Sequence, residues 1–296
     1  MTVLSAAQGD DRTTYSAALQ KAVTGAMPGK AGTAVVIDVS TGKVLAAYHL
    51  DVAARRLALP GSAIKPFTLL ALLESGKITS QTTLMCRRPL TIGGHNLDCS
   101  HPDLTQPLDP VTALAYSCNT FFTTMATRLT AAELRASFLR DGFGSTSGLV
   151  SNEATGSVAL AHTTEELQLQ AIGEGGIRIT PLELLRAYQR LALARSKHDQ
   201  KLDPVFDGLD ASVAYGMGRL AQPKSAMAVA GKTGTSLVEE GSWRHAWFAA
   251  YAPAAKPEIV LVVFLEKGTG PINAAGVAQR IFAAYFATRV TNGASH

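Results

Sequence analysis

"TAVVIDVSTGKVLAAYH", residues 33–49, sets two β-rich runs on either side of the Ser-Thr-Gly turn at 40–42 and reads as a hairpin. Three more such runs stand at the other end of the chain: "MAVAGKTGTS" (227–236), "HAWFAAYAP" (245–253) and "EIVLVVFLEKG" (258–268). Two strands open the chain and three close it, so the simplest closure is one five-stranded antiparallel sheet. Residues 13–27 place Tyr15, Leu19, Ala22 and Val23 on one face of an amphipathic helix. "NAAGVAQRIFAAYFATRV" (273–290) is a second helix, with Val277, Ile281, Tyr285 and Phe282 turned inward. The two terminal helices are expected to flank the sheet. Between Pro66 and about Leu220 the chain is largely helical and forms an inserted lobe. The expectation is therefore an α+β fold and a single domain over 1–296. Its sheet part takes in about 28–60 and 225–296, and its helical lobe about 66–220. No internal repeat or low-complexity linker divides the chain.

The 296 residues are 47% hydrophobic and 17% charged, which describes a globular chain with enough length for a large core. The net charge is +4, but no run of Lys/Arg exceeds two residues. Such scattered charge reads as a solvated surface and points to no nucleic acid partner. No stretch approaches the about 18 apolar residues of a membrane span. The opening "MTVLSAAQGDDRTTYSAAL" lacks the basic and apolar regions of a signal peptide.

The three cysteines are Cys86, Cys99 and Cys118. Cys86 and Cys99 bracket the loop "CRRPLTIGGHNLDC" and read first as a disulfide, which would fit an oxidising compartment. His95 and His101 bring zinc into consideration, but Cys-x8-His-x3-Cys-x-His lacks the close cysteine pair of most structural sites. Free thiols are the third reading. No metal and no cofactor are expected.

Three short stretches carry chemistry. Ser-x-x-Lys occurs twice, at Ser40–Lys43 and at Ser62–Lys65. The first lies in the hairpin turn, where small polar residues belong for turn reasons. The second opens the apolar run "SAIKPFTLLALLESGKI" (62–78), where residues three apart share a helix face and Lys65 can reach the Ser62 hydroxyl. A helix start also favours the negative charge of an attacking alkoxide. The second stretch is "ALAYSCNTFF" (113–122), which sets Ser117 and Asn119 between two apolar runs. The third is "AGKTGTS" (230–236), with Lys232, Thr233, Gly234 and Thr235 closing a strand. There a glycine leaves room for a ligand, and its polar neighbours supply donors for an anion. Taken singly, these are a helix cap, a polar interruption between helices and a strand end.

Together they form the Ser-x-x-Lys, Ser-x-Asn and Lys-Thr-Gly set of the penicillin-recognising serine acyl-transferases. The chain resembles the transpeptidase domain of the high-molecular-weight penicillin-binding proteins, from about Thr33 to Ala287, with a β-lactamase/transpeptidase-like fold. "AIGEGGIRITPLELLRAYQRLA" (171–192) is similar to the family's Gly-rich turn and Thr-Pro helix. Glu153 and Gly156 stand where the family often has Glu-x-x-Gly, and Tyr215-Gly-Met217 where a Gly-Met precedes the late strand. The middle residue of Ser-x-Asn is Cys118, whose role the resemblance leaves unassigned. No pedestal, glycosyltransferase domain or membrane anchor is read in the sequence.

The resemblance implies that Ser62 attacks a D-Ala-D-Ala stem peptide of peptidoglycan and releases D-alanine. Lys65 takes the serine proton, Asn119 holds the amine, Ser117 relays a proton to the leaving nitrogen, and Lys232 lowers the Lys65 pKa from across the cleft. Backbone amides of Ser62 and Thr235 form an oxyanion hole, while Lys232, Thr233 and Thr235 hold a carboxylate. It further implies β-lactams as covalent inhibitors, an extracytoplasmic location, and an anchor lying outside this stretch of chain. Carboxypeptidase, β-lactamase and non-catalytic sensor readings remain as alternatives. A histidine-based hydrolase is disfavoured because no Gly-x-Ser-x-Gly elbow is present, and no Glu-x-x-Leu-Asn deacylation loop occurs. "GEGG" at 173–176 is neither a dinucleotide fingerprint nor a Walker loop.

Overall fold

The computed structural model describes residues 16–197, 199–225, 227–238 and 243–293. Helix α1 (Ala17–Ala26) precedes the hairpin of β1 (Gly32–Asp38) and β2 (Val44–Tyr48). The Asp38 carboxylate closes that turn, accepting from Ser40 Oγ at 2.7 Å and from Thr41 N at 2.7 Å. Ser40 is thereby committed to the hairpin. After α2 (Leu50–Arg55), a 3-10 turn at Gly61–Ile64 runs directly into α3 (Lys65–Glu74). The lobe continues through the ribbon β3 (Thr91–Ile92) and β4 (His95–Asn96), then α4 (Pro110–Ala115), α5 (Asn119–Ala126) and α6 (Ala131–Arg140). It ends with β5 (Ser157–Val158), α7 (Thr164–Ile172), β6 (Ile177–Arg178), α8 (Pro181–Arg195) and α9 (Asp203–Ala214). The chain closes with β7 (Ala230–Leu237), β8 (Arg244–Ala252), β9 (Ile259–Leu265) and α10 (Ala275–Gly293).

The five long strands lie in the order β2-β1-β9-β8-β7, with antiparallel neighbours throughout. Strand β9 is apolar at every position because both of its faces are covered. Its period of two divides the work. Leu261 and Val263 join Leu19, Val23, Ile281 and Phe282 of the terminal helices, while Val262 and Phe264 meet Leu185 and Trp247 on the lobe side. Helix α3 is buried from Lys65 through Leu73, so its uniformly apolar run marks a central helix and not an amphipathic surface one.

Two of the expected inward residues, Ala22 and Tyr285, are only half-buried, Tyr285 still packing against the core. Val277, Ile281 and Phe282 of α10 are fully buried, but Tyr285 is half-buried and turns its hydroxyl to Glu258 at 2.7 Å. Phe286 takes the inward place, as the helical period brings it beneath Phe282. Leu19 and Val23 of α1 face the core as expected, Ala22 is half-buried, and Tyr15 lies outside the described residues.

Candidate active site

The edge strand β7 and the turn before α3 make one wall together. Gly61 has φ +52°, a conformation that favours glycine. A Cβ there would stand 2.4 Å from Thr235 O, so the turn can approach β7 only without a side chain. Gly61 N donates to Gly173 O at 3.0 Å. Leu59 O accepts from Ser236 Oγ at 2.7 Å and from Trp247 Nε1 at 3.0 Å. These bonds pin both sides of the turn that carries Ser62.

Ser62 lies inside this 3-10 turn, three residues before Lys65, the first residue of the α-helix it was expected to open. Residues i and i+3 eclipse in 3-10 geometry, so Ser62 and Lys65 keep a common side. The bonds of Lys65 nevertheless go elsewhere. Its Nζ donates to Asn119 Oδ1 at 2.5 Å, to Ser117 O at 2.7 Å and to Ser117 Oγ at 3.2 Å. None of these reaches Ser62, which is half-buried.

The turn between α4 and α5 presents Ser117 and Asn119 to that amine. Ser117 has φ +57°, an uncommon conformation for a residue with a side chain, costing on the order of 1–3 kcal/mol. Cys118 N donates to Ala113 O at 2.9 Å and Asn119 Nδ2 to Leu97 O at 2.7 Å, which holds the turn in place. The strained backbone is what aims both the carbonyl and the hydroxyl of Ser117 at Lys65.

Lys65 and Lys232 are both fully buried, and the influence runs from the Lys65 charge onto Lys232, the reverse of the direction expected from the sequence. Burial pushes Lys65 down to about 8, opposed by Cys99, Cys118 and Glu174. Burial, then the Lys65 charge, holds Lys232 well below the ordinary lysine range. Lys232 Nζ donates to Thr233 O at 3.0 Å.

Gly234 has a different reason from the one its motif suggested. A Cβ there would stand 2.6 Å from Pro60 O and 3.0 Å from Ala63 N. What the glycine admits is the Ser62 turn itself, not a ligand. Thr233 is buried, and the half-buried Thr235 accepts from Gly270 N at 3.0 Å through Oγ1.

One feature went unread in the sequence and one expectation is corrected. Glu174, in the Gly-rich turn, accepts weakly from Leu237 N at 3.4 Å, and burial pushes its carboxyl up to about 7. Gly173 beside it comes so close to Gly61 that a Cβ would meet Gly61 O at 2.3 Å, which places Glu174 next to the serine turn. The tight glycine pair was the available signal. Secondly, the expected Cys86–Cys99 disulfide is not formed. All three cysteines are free, and Cys86 Sγ lies 3.6 Å from Cys99 Sγ because Cys118 and His101 converge on the same point.

A profile of the penicillin binding protein transpeptidase domain matches residues 32–287. Peptidoglycan D,D-transpeptidase FtsI of Escherichia coli (strain K12) is 25% identical over 300 residues, covering 86% of this chain and 50% of that protein. Peptidoglycan D,D-transpeptidase PbpA of Mycolicibacterium smegmatis is 26% identical over 264 residues, 74% of this chain and 52% of the relative. The chain thus spans about half the length of the curated relatives it matches. Among solved structures, Pseudomonas aeruginosa PBP2 in complex with WCK 5153 superposes with a TM-score of 0.79 at 25% identity, over 92% of this chain and 77% of the other. The D,D-transpeptidase domain of an Eggerthella lenta peptidoglycan glycosyltransferase superposes at 0.78 with 23% identity, over 93% and 82% of the two chains, which supports the fold. With the match running across nearly all of the sheet and lobe, the chain belongs to the penicillin binding protein transpeptidase domain family.

Proposed function

We propose that this chain is a serine D,D-transpeptidase unit that acts on D-Ala-D-Ala stem peptides of peptidoglycan and is acylated by β-lactams on Ser62. The observation that carries the reading is the buried Lys65 amine, depressed to about 8 and bound to Asn119 and Ser117. A neutral amine in that position takes the Ser62 proton as the hydroxyl attacks the penultimate D-alanine carbonyl. Ser117 Oγ, 3.2 Å from Lys65 Nζ, passes the proton to the leaving D-alanine nitrogen. The backbone amides of Ser62 and Thr235 face the developing oxyanion, and Lys232, Thr233 and Thr235 hold the terminal carboxylate. The free edge of β7 suits an extended peptide laid alongside it as one more strand.

The acyl-enzyme then passes to an amine or to water. Glu174 favours keeping the hydrolytic reading as the alternative, since a carboxyl near 7 beside the serine turn can serve as a base for water. The reading also places the domain outside the cytoplasm, where peptidoglycan is built, and treats the chain as one domain. Among the described residues no helix is long and apolar enough to cross a membrane. The test is D-alanine release from a stem-peptide mimic, with and without an added acceptor amine. Amide product with the amine supports transpeptidation, and only the free acid shortened by one D-alanine supports carboxypeptidation. No D-alanine under either condition would leave a non-catalytic binding module.

A further inference from the structure

Behind the Ser117 turn, Cys86, Cys99, His101 and Cys118 each aim one donor atom at a common point, all within 4.8 Å of one another. Tetrahedral zinc, with Zn–S about 2.3 Å and Zn–N about 2.05 Å, requires S···S edges of about 3.8 Å and S···N edges of about 3.6 Å. The observed separations are 3.6 Å for Cys86 Sγ–Cys99 Sγ, 3.7 Å for Cys99 Sγ–Cys118 Sγ and 3.6 Å for Cys86 Sγ–His101 Nε2. These three of the tetrahedron's six edges fit a metal polyhedron, and the two sulfur–sulfur ones are far too long for a bond of about 2.05 Å.

The surroundings are built to the same purpose. His101 Nδ1 lies 2.7 Å from Pro102 O and 3.2 Å from Arg88 Nη2; the shorter contact is to a carbonyl, which only accepts, and it favours the proton on Nδ1 with the Nε2 lone pair toward the sulfurs. That carbonyl partner is the usual support of a metal-bound imidazole. Arg88 Nη2 donates to His101 O at 2.5 Å, which sets a cation beside a centre that three thiolates and zinc leave at net −1. Backbone amides at the start of α5 donate to the sulfurs, Asn119 N to Cys99 Sγ at 3.1 Å and Phe121 N to Cys118 Sγ at 3.4 Å. Cys99, His101 and Cys118 are buried, with only Cys86 half-buried. Four protein donors leave no open position, which marks a structural site and not a catalytic one. An N/S donor set of this kind selects zinc over magnesium or calcium.

We propose that Cys86, Cys99, His101 and Cys118 form a closed Cys3His zinc site that fastens the 86–101 loop to the turn bearing Ser117 and Asn119. The absent close cysteine pair is no objection, because the ligands come from separate segments that only the fold brings together. Cys118 is the residue between Ser117 and Asn119, so a metal there fixes the strained turn from behind. Asn119 is tied twice more to the same loop, through Cys99 Sγ and Leu97 O. The site stands on its own donors and does not depend on the acyl-transfer reading.

The test is the zinc content of the purified protein kept under reducing conditions. About one zinc per chain is expected, released by a mercurial thiol reagent and restored by added zinc. Cobalt(II) added to the metal-free protein should give tetrahedral d–d bands with thiolate charge transfer, both weakened at least tenfold in Cys86→Ser, the least buried ligand. Metal removal should speed amide exchange in 86–101 and 117–121 while β8 and β9 stay protected. Should Cys86→Ser fail to fold, the stoichiometry and exchange of the wild-type protein decide. Protein without zinc that also gives no cobalt spectrum overturns the proposal, as does a Cys86–Cys99 disulfide found by non-reducing peptide mapping. None of these readouts uses a β-lactam, so their failure leaves the proposed activity to its own test.

Discussion

The Lys65 ammonium sits 2.5 Å from the Asn119 carboxamide oxygen, although the two residues lie 54 positions apart in sequence. That contact joins the central buried helix to the α4–α5 turn and sets the direction in which the amine lone pair points once the proton leaves. Asn119→Ala removes the side-chain carbonyl that holds Nζ. Acylation by benzylpenicillin should slow by about a hundredfold, the range in which positioned proton transfer contributes. Stopped-flow labelling with thermal unfolding as a control separates this from a loss of fold.

The pH dependence follows from Lys65. Its pKa is lowered to about 8, so the neutral form that accepts the serine proton grows as pH rises through that value. The acylation rate should rise about tenfold per pH unit below 8 and level off above it. A rate independent of pH between 6 and 9 would remove Lys65 as the base.

Glu174 bears on the same profile. Its carboxylate raises the Lys65 pKa, against burial. Glu174→Gln should therefore move the midpoint of the acylation profile to lower pH. If Glu174 also activates water, the same variant lengthens the lifetime of the adduct. An unchanged midpoint would show that the carboxyl is too far or too well screened to act on the amine.

Gly234→Ala should both destabilise and disable. The added methyl meets Pro60 O at 2.6 Å and Ala63 N at 3.0 Å, both backbone atoms that cannot rotate away. A cost of about 1–3 kcal/mol is expected from overpacking. The displaced element is the Ser62 turn, so acylation should fall further than the loss of stability explains. Unfolding midpoints measured beside labelling rates give the comparison.

Much of this was legible in the chain itself because the signals are local. The apolar runs of β1 and β9 declare strands, and the uniform burial of α3 follows from a run without a polar face. The spacing of Ser62 and Lys65, with Ser117, Asn119 and Lys232 beyond, carried the resemblance to the family. What stayed hidden depends on which segments meet. Gly234 reads as room for a ligand until Pro60 is found against it. Phe286 and Tyr285 are neighbours whose facing is set by the sheet beneath. Cys86, Cys99, His101 and Cys118 follow no single-loop spacing, and only the docking of the loop on α5 assembles them. Glu174 looks like a turn residue until its burial between the serine turn and the end of β7 is seen.

The most direct test of the central claim is the intact mass of the protein after incubation with benzylpenicillin. One penicilloyl adduct should form on the wild-type protein and on Ser40→Ala, whose serine is bound into the hairpin, and none on Ser62→Ala. After removal of free drug the adduct should persist for many minutes. Labelling that survives in Ser62→Ala, or an adduct lost within seconds at neutral pH, would contradict the account.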